Sequence, residues 1–229
     1  MNTLKKEVFP LNQATMFQKI NRSIQADFLK KYASDKKTLD LGSGGDPYGY
    51  GQYFQNRVTV DIDPLRKPEI VADAHHLPFR EGEFDVVLSI EMLEHVKNPF
   101  QVAAEIKRVL KPGGLLLLTT RFVYPLHDAP HDYFRFTKYG LKELFGDLEI
   151  IELTAEAALF TSLAILYQRI AFQTRLRFNK PLKFLLFLRA WLLCRLDFLV
   201  LAQYGNIQKT REERDILATG YYLAARKRS

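Results

Sequence analysis

Thr38-Leu39-Asp40-Leu41-Gly42-Ser43-Gly44-Gly45-Asp46 reads as a short apolar strand running straight into a glycine-rich turn. Glycine there permits the left-handed backbone of a tight bend and lets main-chain N–H groups approach a ligand closely. Asp61-Ile62-Asp63 ends the next β-like run 19 residues after Gly42. At that spacing an open α/β sheet sets a carboxylate against a ribose diol, so turn and acid together imply an adenosine-type cofactor. A dinucleotide fingerprint starting at Gly42 wants a third glycine at 47, where this chain has Pro47, and no phosphate-loop Lys-Ser/Thr follows. Asp40 places a negative charge beside the bend, which would repel a pyrophosphate and attract a sulfonium and an amino group. The turn therefore favours S-adenosylmethionine over NAD.

Working outward, further β-like runs fall at Lys37–Leu41, Arg57–Ile62, Glu69–Ala72, Phe84–Ile90, Leu115–Thr120, Leu148–Leu153 and Ala218–Ala225. Most are apolar on both faces, as in a sheet covered by helices on either side. Between them, Met16/Phe17, Ile20, Ile24 and Phe28 mark an amphipathic helix within 12–33. Asn98-Pro99 is an N-cap followed by proline at the first helical position, with Val102, Ile106, Val109 and Leu110 on one face and Pro112-Gly113-Gly114 as the stop. A helix over Thr137–Phe145 precedes the sixth run.

The 229 residues suit one α/β domain with additions, and 47% hydrophobic against 26% charged residues excludes a collagenous, disulfide-scaffold or wholly disordered chain. The single cysteine, Cys194, allows no internal disulfide and no thiolate metal cluster, and no hydrophobic leader follows Met1, so the expected compartment is the reducing cytoplasm. Net charge is +7 but unevenly spread: residues 1–154 carry 20 Lys/Arg against 21 Asp/Glu, while 155–229 carry 13 against 5. The excess lies in the greasy last third, which suits a membrane surface better than a phosphate backbone.

Six ordered blocks carry a family resemblance: Leu39–Gly44, Val60–Asp63, Ala72-Asp73-Ala74-His75-His76-Leu77-Pro78-Phe79, Phe84–Ser89, Leu93-Glu94-His95-Val96 and Leu110-Lys111-Pro112-Gly113-Gly114. Through them the sequence resembles the class I methyltransferases that use S-adenosylmethionine, in particular the group called type 11. The resemblance implies an α/β, Rossmann-like sheet of seven strands with helices on both faces. The seventh strand would return antiparallel between the fifth and sixth, after a helical insertion. It divides one domain, 1–229, into a helical N-terminal segment (1–35), a cofactor-binding core (36–154), the insertion (155–215), and a final strand with a basic tail (216–229). It also implies that Asp40, Gly42, Ser43 and Gly44 hold the methionine end, Asp61 the ribose hydroxyls and Ile62 one adenine face. Asp73 and Ala74 would meet the adenine amino edge, with Ser89 at the same site and S-adenosylhomocysteine as product. The family's usual third glycine falls at Asp46, after an extra Gly45, which leaves the shape of the turn open.

Beyond the fifth strand lies Arg121-Phe122-Val123-Tyr124-Pro125-Leu126-His127-Asp128-Ala129-Pro130-His131-Asp132-Tyr133-Phe134-Arg135-Phe136-Thr137. Loops past the carboxyl ends of such strands face the ligand, which makes this the acceptor loop. His131 is the candidate general base, because an imidazole of ordinary pKa about 6.5 takes a hydroxyl proton near neutrality, with Asp132 or Asp128 to orient it. His127, Tyr133 and Arg135 are candidate acceptor-binding residues. The loop resembles a segment of type 11 members encoded with bacterial surface-glycan enzymes, which implies a hydroxyl of a glycan or lipid-linked intermediate as acceptor. A small metabolite or quinone precursor is the alternative, and a non-catalytic binding or assembly module is a third reading. Pro130 interrupts any helix that could set His127 and His131 on one face, so no metal is expected, and His95 reads as structural. Nucleic acid is disfavoured, since no Asn-Pro-Pro-Tyr-type block is present.

In 181–201, Lys183, Arg189, Arg195 and Asp197 interrupt nearly unbroken large apolar residues. No window gives the roughly 18 uncharged apolar residues that a span requires. A helical pair lying on an anionic membrane surface at the inner face, with Phe184, Phe187 and Trp191 entering it, is the reading set against a homodimer interface or a substrate lid.

Overall fold

The computed structural model describes residues 20–46 and 49–228. Seven strands make one sheet in the order β3-β2-β1-β4-β5-β7-β6: β1 Thr38–Leu41, β2 Arg57–Asp61, β3 Ile70–Val71, β4 Phe84–Ile90, β5 Leu110–Arg121, β6 Glu149–Ala155 and β7 Gly220–Arg226. β1 runs parallel to β2 and β4, and β4 parallel to β5, whereas β7 is antiparallel to both β5 and β6. This is the expected topology, last strand included.

Strand alternation builds a core on each face of the sheet. Val86, Leu88 and Ile90 of β4, Leu117 of β5 and Tyr222 and Ala224 of β7 bury against Phe28 and Leu29 of helix α1 (Ile20–Lys31), with Tyr50 and Phe54 beside them. Val87, Leu116, Leu118, Leu223 and Ala225 point the other way, onto α2 (Pro99–Val109) and α3 (Lys138–Phe145). In α2 the Asn98 side chain accepts from the Gln101 N–H at 3.2 Å, and Pro99, Val102, Ala103, Ile106 and Val109 form the buried stripe. Thr137 caps α3 in the same way, accepting from Gly140 N at 3.0 Å.

One local expectation needs correction. Leu110 belongs to β5, not to the helix: the strand starts there, pairs with Phe84, and carries Pro112-Gly113-Gly114 as a bulge before Leu115 pairs with Val86. Among the described residues, the segment between β1 and β2 forms a short 3-10 turn at Tyr50–Tyr53. Asp46 produces it, with φ 51° and a carboxylate that accepts from Tyr50 N at 3.0 Å and Gly51 N at 2.9 Å. Pro47 and the 12–19 part of the N-terminal helix lie outside the described residues.

The insertion is a helical pair, α4 (Leu159–Gln173) and α5 (Asn179–Leu193). Asp197, the acid in the greasy run, caps α4: its carboxylate accepts from Phe160 N at 2.7 Å and from Thr161 N at 3.2 Å. Phe187 is buried against Phe172, with ring centroids 5.2 Å apart, so it is withdrawn from any outward contact, while Phe184 on the same helix is 52% exposed. No helix of the described residues is long and apolar enough to cross a membrane.

Candidate active site

The carboxyl ends of β1, β2 and β4 converge on the glycine turn. Gly42 and Ser43 donate their N–H groups to the Val60 carbonyl at 2.8 and 3.1 Å. Gly42 has φ 72°, and a Cβ there would collide with the Met92 side chain, so only glycine fits. The Gly44 N–H donates to Asp61 Oδ2 at 2.8 Å, and the Asp63 N–H donates to Asp61 Oδ1 at 3.0 Å. Two carboxylate oxygens offer about four acceptor sites, so this acid still has capacity for a diol. Ile62 beside it is 67% exposed, an apolar surface open to a flat ring. Asp73 is exposed, with Oδ1 accepting the His75 N–H at 2.9 Å; that bond is the chief reason its carboxyl sits below its ordinary pKa. Ala74 packs against the edge of the core.

Among the described residues, the buried hydroxyls of Ser43, just past the end of β1, and Ser89, near the end of β4 where it pairs with Leu41, have no hydrogen-bond partners. Orphaned buried hydroxyls are costly unless a ligand completes them. The two hydroxyls, the accepting carboxylate of Asp61 and the apolar face of Ile62 together fit an adenosine cofactor with a polar amino-acid tail.

Asp40 differs from expectation. It is fully buried and held by Arg57, whose Nη1 donates to Oδ2 at 2.7 Å. Burial pushes its carboxyl up to about 7 against the opposing Arg57 charge. Its charge is thus matched within the protein, and it supports the turn from behind rather than presenting an open anion to a sulfonium.

In the acceptor loop the structure separates residues that are adjacent in sequence. Asp132 does not reach the His131 ring: both its oxygens take Arg135 N–H groups at 2.6 Å, and Oδ2 also accepts the His127 N–H at 3.0 Å. These contacts hold its carboxyl down near 2 against the opposing effect of burial. Arg135 is likewise spent on Asp132 and on the carbonyls of Tyr124, Pro125 and Phe134, so this pair braces the loop. His131 is exposed, with Nδ1 3.1 Å from the Tyr133 hydroxyl. Its carbonyl lies 2.6 Å from His95 Nδ1, which ties the loop to the block after β4. Tyr133 and Phe134 strengthen that tie by donating their N–H groups to the Glu94 carbonyl at 2.9 and 3.1 Å.

The residues that sequence reasoning missed lie beneath this loop. Glu94 is completely buried; Thr120 donates to its Oε2 at 2.7 Å, and among the described residues Oε1 has no partner. Burial, reinforced by nearby Glu91, pushes its carboxyl up to about 8. Arg121, also buried, is ion-paired with Glu91 and takes Glu156 at 2.7 and 2.9 Å. Glu156 in turn accepts from the Tyr222 hydroxyl at 3.0 Å. Two acids in an otherwise apolar block just past a strand were the available signal. Where a helical His127/His131 pair was rejected, the fold instead brings ligand atoms of Glu94, His95 and His127 within 4.8 Å of one another. Burial lowers the His127 ring to about 4, so it is neutral at physiological pH.

The methyltransferase-domain family of type 11 matches residues 39–118. The chain is 33% identical over 136 residues to the ubiquinone biosynthesis O-methyltransferase of Dechloromonas aromatica, covering 45% of this chain and 59% of that one. It is 34% identical over 102 residues to the protein of the same name from Pseudomonas aeruginosa, covering 37% and 44%. The chain thus spans about half the length of the curated relatives it matches. Among solved structures, the [4+2]-cyclase SpnF aligns over 89% of this chain and 80% of its own, with TM-score 0.58 and 15% identity. The YcgJ protein of Bacillus subtilis aligns over 89% and 98%, with TM-score 0.50 and 15% identity. These two likenesses are of fold alone, and the cyclase among them shows that one sheet carries different chemistries. Residues 39–118, the part that matches the methyltransferase-domain family, are set in a seven-stranded sheet with an antiparallel last strand, the sheet expected of class I methyltransferases that use S-adenosylmethionine.

Proposed function

We propose that the whole chain transfers a methyl group from S-adenosylmethionine to a hydroxyl oxygen of an acceptor seated under the 121–137 loop. The observation that carries this is the pair of orphaned hydroxyls, Ser43 past the end of β1 and Ser89 near the end of β4, with Asp61 at the end of β2 on the other side of β1. When bound, the cofactor supplies an electrophilic methyl on a sulfonium. In this reading Asp61 accepts from the ribose hydroxyls, Ile62 covers one adenine face, and Asp73 and Ala74 face the adenine edge. The Gly42–Gly44 backbone and the two serines hold the amino-acid end. His131, exposed at the loop surface, takes the hydroxyl proton. Rigid bracing of the loop by Asp132–Arg135 and by the Glu94 carbonyl supplies the in-line positioning on which methyl transfer depends.

Two acceptor classes have separate support. The names of the curated relatives favour a phenolic quinone precursor; the resemblance of the 131–137 segment favours a glycan or lipid-linked intermediate. Calorimetry of the folded protein with S-adenosylhomocysteine tests the reading. We expect saturable binding, weakened in Asp61→Ala by about 1.5–3 kcal/mol, as for hydrogen bonds to a charged group. No binding by the wild type would leave a non-catalytic module.

The insertion has a second role in this proposal. Phe178, Phe184 and Leu185 are exposed on α5 and the turn before it, close in sequence to Lys180, Lys183 and Arg189. An apolar surface carrying cations fits an anionic bilayer, which would place the enzyme peripherally at the inner membrane face.

A further inference from the structure

Helix α4 does more than cover the sheet. Its Gln173 side chain donates to the Leu126 carbonyl at 3.0 Å, and its Arg169 guanidinium lies 4.8 Å from the centre of the Tyr124 ring. The insertion therefore walls the acceptor loop. Tyr124 also packs 4.4 Å from the Arg121 guanidinium and meets the His127 ring edge-to-face at 5.3 Å; His127 in turn meets His95 at 4.8 Å. One aromatic ring thus links Arg169 to the cluster of histidines and Glu94 beneath the loop.

Arg169 differs in its pairing from four other enclosed arginines. Those four are each matched by carboxylates: Arg57 by Asp40 and Asp46, Arg108 by Glu105, Arg121 by Glu91 and Glu156, Arg135 by Asp132. Arg169 is half-buried, its Nε is buried with no hydrogen-bond partner, and among the described residues no carboxylate pairs with it. Enclosing a cation without an anion is unfavourable unless a ligand supplies one. A guanidinium held against an aromatic ring presents its N–H edge as a fork, the geometry that grips a carboxylate or a phosphate through two parallel bonds.

We propose that Arg169 recognises an anionic group on the acceptor, a carboxylate or a phosphate, on the side of the acceptor loop that the insertion walls. The inference rests on the methyltransferase reading for the word acceptor, but the anion site itself is defined by Arg169 and Tyr124. It narrows the acceptor to a molecule carrying both a methylatable hydroxyl and a negative charge. A carboxylated phenol and a phosphate-linked glycan both meet that description.

The test uses the full chain loaded with S-adenosylhomocysteine, titrated with phenol, 4-hydroxybenzoate and phenyl phosphate. We expect at least one anionic probe to bind about tenfold to a hundredfold more tightly than phenol, the range of one or two charge-assisted hydrogen bonds. Preference for 4-hydroxybenzoate would point to a carboxylate acceptor, and preference for phenyl phosphate to a phosphate. Arg169→Gln should abolish the difference while leaving S-adenosylhomocysteine affinity unchanged, and Arg169→Lys, which keeps charge but loses the fork, should retain only part of it. Equal affinity of all three probes for the wild type, or an anion preference that survives in Arg169→Gln, overturns the proposal. Should Arg169→Gln also lose S-adenosylhomocysteine, the lysine variant decides: an undiminished preference overturns the proposal. Failure of the wild type to bind S-adenosylhomocysteine removes the methyltransferase reading instead, a separate outcome.

Discussion

Arg57 of β2 reaches across to Asp40 at the end of β1, its Nη1 donating to Oδ2 at 2.7 Å, and the same nitrogen lies 3.2 Å from Asp46 in the glycine turn. One guanidinium thus ties the strand end to the turn that departs from it. Removing one partner of a buried pair leaves an uncompensated charge, at a cost of about 3–5 kcal/mol. Arg57→Gln should lose stability of that order in urea unfolding. The double variant Asp40→Asn/Arg57→Gln should recover much of it, because neither charge then remains. A single-variant loss below about 1 kcal/mol, the size of an exposed pair, would contradict this account.

Glu94 makes stability depend on pH with a defined sign. Its carboxyl is raised from 4.5 to about 8, chiefly by burial. The folded state therefore keeps a proton that the unfolded state releases, and the contribution is full below about 4.5 and lost as pH rises towards 8. Asp40, raised from 3.8 to about 7, acts in the same direction over a lower range. Glu94→Gln can still accept from Thr120 and does not ionise. Its stability should fall less than that of the wild type between pH 5 and pH 8 in parallel denaturant titrations; identical slopes would place the proton elsewhere.

His131 and His127 offer a contrast within one loop. His131 is exposed beside Tyr133, while His127 is enclosed, with its ring depressed to about 4. His131→Ala preserves the carbonyl that meets His95. It should lower methyl transfer at saturating acceptor by about 10²-fold, the contribution of a general base, with S-adenosylhomocysteine affinity unchanged. His127→Ala removes an edge-to-face partner of both His95 and Tyr124 and should raise KM as well. An unchanged rate in His131→Ala would assign its side chain to packing.

The sheet was legible because its strands are short apolar runs with clear punctuation, and the glycine turn with Asp61 carried the cofactor. What escaped is physical in origin. Glu94 reads as a surface residue by type, and only the third dimension shows Arg121, Glu91 and Thr120 gathered around it. His131 and Asp132 suggested a working pair by adjacency, yet successive side chains in an irregular loop diverge, and Arg135 claims the acid. Arg57 gave no periodic or motif signal, since its partner Asp40 lies on a neighbouring strand. On α5 apolar residues occupy almost every side, so periodicity could not separate the inward Phe187 from the outward Phe184; the contact with Phe172 does.

That separation sets the test of membrane contact. Phe178 and Phe184 are 67% and 52% exposed, with Lys180 and Lys183 close by in sequence. Adsorption to vesicles containing phosphatidylserine should be salt-sensitive, each nearby cation contributing about 1 kcal/mol at the surface. Phe178→Ser with Phe184→Ser should release the protein from these vesicles and leave S-adenosylhomocysteine binding intact, since the cofactor residues lie in another part of the fold. Phe187→Ser is the control. Emptying a buried aromatic site costs about 3–5 kcal/mol, so that variant should lower thermal stability, an effect that Phe178→Ser with Phe184→Ser should not share. A wild type that ignores anionic vesicles at low salt, yet sediments as a dimer that the outward pair of substitutions dissociates, would reassign this face to self-association.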